Sequence, residues 1–244
     1  MLCRASGLTL SSPVAYTANV NGPETDLPMS WRVVFFDLDD TLYPPSCGVW
    51  PAIGERIQAF LMDRLGVTYD EAMEIRRGYF EHYGTTLNGL WHHHSVDPSD
   101  YLEFVHDIPL EEMLHPDPDL KSMLQELPQK RIVFTNASRE HAVRVLACLG
   151  VSSEIDAIVD LFALEMTNKP ETAAYERALE LAGESDPGLC VLADDMPRNL
   201  VPAKVMGMTT VLVSPRQQDG VADLQIERIT DLARALPGLV AHGN

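Results

Sequence analysis

Four short apolar runs, each breaking off into polar or acidic residues, constrain this chain more than any other feature. They are Val33–Phe36, residues 131–134, residues 189–193 and residues 210–213, with a weaker fifth at Ala157–Val159. Runs of this length, rich in Val, Ile and Phe and free of polar alternation, suit strands buried on both faces. Such strands occur in parallel sheets covered by helices.

The stretches between them supply those helices. Asp117 is placed to cap a helix whose first residue is Pro118 and whose inward face is Leu120, Met123, Leu124 and Leu127. Ser138 can cap a second, with Ala142, Val145, Leu146 and Leu149 inward and Gly150 at its end. A third is expected to open at Pro170 and stop at Gly183. Strand–helix alternation at this spacing predicts an α/β fold, a Rossmann-like parallel sheet, assembled from residues 31–44 and 117–244. Residues 45–116 break the alternation and carry no strand pattern. Ile53, Ile57, Phe60 and Leu61 recur at helical spacing, as do Ala72, Ile75, Tyr79 and Tyr83. Thr68 with Glu71 forms a capping box, and Asp97-Pro98 starts a further helix bearing Tyr101, Phe104 and Val105. The expectation is an all-helical cap inserted after the first strand.

A chain of 244 residues with 45% apolar content can bury a core of this size. Its net charge of −18 argues against nucleic acid polymers and anionic membranes as partners, since both need a basic patch. No apolar run approaches the roughly 20 residues of a membrane span. The cysteines, Cys3, Cys47, Cys148 and Cys190, form no CxxC pair, as expected of reduced thiols in a cytoplasmic protein. Residues 1–30, rich in Ser, Pro, Asn, Gly and Thr, read as a flexible N-terminal extension, with Met29 as a candidate start of translation.

The strand ends carry the chemistry. The first run leads into Asp37-Leu38-Asp39-Asp40-Thr41, the second into Thr135-Asn136-Ala137-Ser138, and the later one into Asp194-Asp195 with Asn199 close behind. Lys169 stands before Pro170 at a helix start. Ligands of open α/β sheets sit at the carboxyl ends of the strands, so three strands deliver carboxylates, a hydroxyl and an amide to one edge. Carboxylates crowded at one edge need a cation. A like-charge pair at ~4 Å costs about 4 kcal/mol at an effective dielectric of 20. Mg²⁺, which takes hard oxygen ligands, suits that donor set.

This order of motifs resembles the haloacid-dehalogenase-like hydrolase superfamily over essentially residues 32–215. The resemblance implies a nucleophile at Asp37 that forms an aspartyl-phosphate and a general acid and base at Asp39. It implies that Thr135 hydrogen-bonds a phosphoryl oxygen, with Asn136 beside it, and that Lys169 stabilises the nucleophile and the transferring charge. Asp37, Asp39 (through its main-chain carbonyl), Asp194 and Asp195 are the implied metal group, with Asp195 the preferred direct ligand and Asn199 supporting the loop. Like-charge crowding is expected to raise the pKa of Asp39. An acid at position 39 favours phosphatase or mutase chemistry over dehalogenation.

Residues 39–44, 83–90, 101–109 and 114–118 narrow the resemblance to the pyrimidine 5′-nucleotidase branch, whose members convert UMP and CMP to nucleosides. The expected partner is then a small-molecule phosphate ester, a nucleoside monophosphate, with Tyr83, Thr86 and Leu87 of the cap as substrate-binding candidates. Tyr79 is expected in the cap core, while Tyr83 is open between core and substrate. His92-His93-His94 cannot readily converge on a metal and reads as a solvent-facing loop. Arg139 and Arg198 flank the site loops, either as phosphate contacts or as bystanders. Two alternatives stay open: a sugar-phosphate phosphatase or phosphomutase on the same core, and a non-catalytic binding protein. The sequence leaves the oligomeric state undetermined.

Overall fold

The computed structural model describes residues 31–218 and 220–240. The expected extension, Met29 and Cys3 lie outside the described residues.

Strand β1 (Val33–Phe36) is buried along its whole length, and Asp37 sits at its carboxyl end. The chain then leaves the sheet through α1 (Val49–Leu65), α2 (Tyr69–Tyr83), α3 (Thr86–His93), α4 (Pro98–His106) and α5 (Leu110–Met113). It returns through α6 (Pro118–Glu126), β2 (Lys130–Phe134), α7 (Arg139–Leu149), β3 (Ala157–Val159) and α8 (Thr172–Ala182). The last elements are β4 (Cys190–Asp194), α9 (Pro197–Met206), β5 (Thr209–Val213), β6 (Leu224–Ile226) and α10 (Leu232–Ala235). The six strands are all parallel, in the order β3-β2-β1-β4-β5-β6. The predicted Rossmann-like sheet with a helical insertion after its first strand is the observed fold.

Alternate residues of β1 serve different layers. Val34 and Phe36 face α6, α7 and α10 through Leu120, Leu124, Ala142, Val145 and Leu232. Val33 and Phe35 face α8 and α9 through Ala174, Tyr175, Ala178, Leu200 and Ala203. Register aligns the strand ends: Phe36 pairs with Val133 of β2 and Ala193 of β4, so the loops after all three emerge together. Successive strands are added to one side of β1 as far as β3 and to the other side from β4 onward, and this switch in strand order between β1 and β4 makes the edge the crevice of the fold.

Helix caps follow the sequence closely. Asp117 and Asp97 each accept two backbone N–H groups, Ser138 accepts from the His141 N–H, and Thr68 with Glu71 completes the capping box. α8 begins at Thr172 rather than Pro170, because Glu171 N–H first closes a turn onto the Asn168 carbonyl. β6 was not anticipated. It is three residues long, lies at the sheet edge and carries Gln225 at its centre.

The insertion packs around an aromatic group in which Phe60 meets Tyr101 and Phe104 edge-on, at 5.0 and 5.4 Å. α3 presses against α2 where Gly89 leaves no room for a side chain: a Cβ there would lie 2.2 Å from the Tyr79 ring. His92 and His93 face solvent as expected, but in the last turn of α3 rather than in a loop, and His94 caps that helix in an extended conformation. His93 and Tyr79 stack there at 5.5 Å.

Candidate active site

Lys169 organises the strand-end cluster. Its side chain is 1% exposed, and its Nζ donates to Asp37 Oδ1 and Asp194 Oδ2, both at 2.7 Å. Burial alone would favour the neutral amine, but the charges of Asp194 and Asp37 outweigh it and raise the pKa. The backbone of Lys169 is fixed by Asn136, which accepts its N–H and donates to its carbonyl, at 2.8 and 3.0 Å. Asn136 therefore holds the lysine loop, and Thr135 beside it caps the N–H of Ala137.

Asp37, Asp194 and Asp195 each offer a carboxylate oxygen, all within 4.8 Å of one another. Their oxygens are not equally free. Asp194 accepts from Lys169 and the Met196 N–H, and both of its oxygens accept from the Asn199 Nδ2. Among the described residues the Asp195 carboxylate has only the Thr41 hydroxyl as a hydrogen-bond partner; that hydroxyl stands 3.5 Å from its Oδ1 and 3.2 Å from Asp37 Oδ2 and accepts the Asp195 N–H. Burial pushes Asp37 and Asp195 above the usual carboxylate range, reinforced by the neighbouring acids. Three hard oxygen donors whose charge is incompletely offset are a fitting set for a divalent cation.

Asp39 turns away from this group. Its Oδ1 accepts from Tyr43 Oη and pairs with His141 Nε2 at 2.8 Å. Burial pushes its pKa up, but the charge and hydrogen bond of His141 and the bond from Tyr43 more than offset it, so the net shift is downward. The upward shift expected from like-charge crowding is thus corrected. Tyr43 and His141 were both missed in the sequence. Tyr43 was within reach of a reading, four residues after Asp39 in one turn; a lone histidine 102 residues on gave no signal.

The arginines are engaged elsewhere. Arg198 donates to the carbonyls of Phe80 and Gly84 and lies 3.7 Å over the Phe80 ring; Arg139 donates to the Ile158 carbonyl at 2.8 Å. Arg198 thus joins the insertion to the core. Asn168 does the same at the Tyr83 carbonyl, and Asn88, which also donates to that carbonyl, crosses to Glu171. Tyr83 is half-buried, its hydroxyl against His93 Nε2 and its ring edge-on to Tyr79. Thr86 and Leu87 lie in the insertion's interior, Leu87 within the apolar core and Thr86 bonded to buried Tyr101. A cleft of about 740 Å³ opens between α4 and α7, bounded by Phe104, His106, Ser138, His141 and Phe162.

The model of the haloacid dehalogenase-like hydrolases matches residues 31–207. Phosphate metabolism protein 8 of Saccharomyces cerevisiae is 30% identical over 195 residues, which cover 74% of this chain and 61% of that protein. The chain thus spans less than two thirds of the length of this curated relative. A HAD phosphatase from Thermococcus onnurineus superposes with a TM-score of 0.60 at 22% identity, covering 86% of this chain and all of that one. The HAD-hydrolase YfnB from Bacillus subtilis, solved bound to magnesium, gives 0.59 at 16% identity over 85% of this chain and 99% of its own. At these identities the superpositions speak to the fold.

Proposed function

We infer from the family to which this chain belongs, the haloacid dehalogenase-like hydrolases, that it is a magnesium-dependent phosphatase acting through Asp37. The observation that carries the reading is the pairing of Asp37 with buried Lys169 at the tip of the central strand, beside Asp194 and Asp195. Lys169 opposes the upward shift that burial gives Asp37 and orients its carboxylate, as a nucleophile requires. Mg²⁺ fits the carboxylates of Asp37 and Asp195 with the main-chain carbonyl of Asp39, and when bound supplies positive charge against the phosphoryl oxygens. Asp194, its oxygens already taken, serves to hold Lys169 and the loop of Asn199.

Asp37 attacks phosphorus, and the bond to the ester oxygen breaks with its electron pair going to that oxygen. Asp39, in its protonated form, gives the oxygen a proton and is left as the carboxylate that His141 and Tyr43 stabilise. Water then attacks the aspartyl-phosphate, Asp39 takes its proton, and the electron pair of the broken P–O bond returns to Asp37. Thr135, at the end of β2, binds a phosphoryl oxygen, and Lys169 offsets the charge that develops.

The substrate class we propose is a pyrimidine nucleoside 5′-monophosphate, UMP or CMP, on the strength of the motif resemblance and of half-buried Tyr83 beside the Lys169 loop. Residues 45–116 act as the cap and residues 31–44 with 117–240 as the catalytic core. A panel of phosphate esters assayed for phosphate release tests this. Turnover should vanish on chelation, return with Mg²⁺, be absent in Asp37→Asn, and be greatest with UMP and CMP. Full activity after exhaustive chelation would remove the metal; a preference for sugar phosphates would move the substrate.

A further inference from the structure

We propose that His141 is a positioning residue that holds Asp39 by one oxygen so that the other is free to carry the proton. The inference rests on the phosphatase reading above. Its ground is an asymmetry at Asp39: both donors, Tyr43 Oη and His141 Nε2, fall on Oδ1. Among the described residues no hydrogen bond falls on Oδ2. A carboxyl group that must give and take a proton at one oxygen needs the other anchored, or rotation about its Cβ–Cγ bond exchanges them.

His141 is built for that anchoring. Its side chain has no exposure, so its rotamer is fixed by packing. Its backbone is set in the first turn of α7, where the N-cap Ser138 accepts its N–H. One face of its ring is covered by His106 of α4, stacked with centroids 4.1 Å apart and planes 17° from parallel. The remaining ring nitrogen, Nδ1, is buried and has no hydrogen-bond partner among the described residues. A histidine retained only for packing would leave two polar atoms to satisfy, and an apolar residue would fill that space at lower cost. Here one nitrogen is left unsatisfied while the other is spent on Asp39. Because His106 belongs to the insertion and His141 to α7, the stack also ties the aim of Asp39 to the seating of α4.

The two half-reactions separate this role from a structural one. A p-nitrophenyl ester leaves as a phenolate with little need of a proton, whereas a ribose 5′-ester needs one. In His141→Leu, phosphorylation of Asp37 by p-nitrophenyl phosphate should proceed near the native rate, seen as a stoichiometric burst of p-nitrophenol. The steady state after it should be slow, because Asp39 must still take a proton from water. On the nucleotide, the first turnover itself should fall by about 10²-fold, the usual effect of a misplaced group. His141→Gln, which keeps an N–H near the place of Nε2, should recover most of that loss. If His141→Leu does not fold, His141→Asn carries the test, since its shorter amide stops short of Asp39. Equal losses on both esters, tracking the folded fraction, would overturn the proposal, as would no change on either. Asp39→Asn run alongside separates the two levels. A leaving-group-dependent loss in Asp39→Asn without one in His141→Leu defeats the positioning role alone. The absence of any loss in Asp39→Asn defeats the phosphatase assignment of Asp39 and the positioning role with it.

Discussion

At Lys169 a single ammonium compensates two buried carboxylates, so its removal acts on stability before it acts on rate. Lys169→Met would leave Asp37 and Asp194 facing each other inside the protein. Breaking a buried pair in this way costs about 3–5 kcal/mol. Urea unfolding in chelator should show that loss, and added Mg²⁺ should restore part of it by binding the folded state. A loss below about 1 kcal/mol would mean that water, not Lys169, balances the cluster. His106 makes the opposite demand, for a neutral ring. Burial, with help from the charge of His141, lowers its pKa from 6.5 to about 3. Below about pH 6.5 the unfolded chain therefore binds a proton that the folded one refuses, so stability is full above that value and falls as pH drops toward 3. The slope should approach about 1.4 kcal/mol per pH unit. His106→Gln removes this group, so the stability gap between native protein and variant should shrink steadily from pH 7 to pH 4.5 in urea titrations. A gap that stays constant would place the proton elsewhere.

Among the elements, the turn between α2 and α3 is wedged against the loop that carries Lys169. Gly84 has φ +81°, and a Cβ on it would lie 2.5 Å from Asn168 Nδ2 and 2.9 Å from the Lys169 carbonyl. Gly84→Ala must displace the loop that carries Lys169. The expected cost is about 1–3 kcal/mol of stability from the backbone strain. Turnover of a compact ester should fall about tenfold or more from displacement of the lysine. An unchanged kcat with only a stability loss would show that the lysine loop does not follow the turn. This dependence was not legible in the sequence, because it joins residues far apart in the chain. What was legible is what local rules govern: the caps at Thr68, Asp97, Asp117 and Ser138, the buried strands, and the acids at their ends. β6 escaped because a three-residue edge strand carries too little pattern, and His141 because a buried polar contact leaves no periodicity. Thr86 and Leu87 were marked from a motif that spans a helix start, where Thr86 through Leu90 are all buried.

For the molecule as a whole, the insertion touches the core beside each part of the machinery: Arg198 after β4, Asn168 before Lys169, and His141 next to Asp39. Among the described residues no helix is long and apolar enough to cross a membrane. Selectivity among esters should reside in the insertion, since the strand-end groups address phosphate alone. Tyr83→Ala removes a ring worth about 1–3 kcal/mol if a base stacks on it. The kcat/KM for UMP and CMP should then fall roughly tenfold or more, with a smaller fall for acetyl phosphate. Equal losses on both would return Tyr83 to the aromatic group it shares with Tyr79 and His93. The placing of β1 has one more consequence, in the order of synthesis. The strand leading to Asp37 is made first, yet its two neighbours are β2 and β4. At roughly 5–20 residues per second, translation of the stretch from Phe36 to Lys130 takes on the order of ten seconds. During that interval the apolar Val-Val-Phe-Phe segment has neither flank available, so the nascent chain carries an uncovered, aggregation-prone strand until the sheet can close around it.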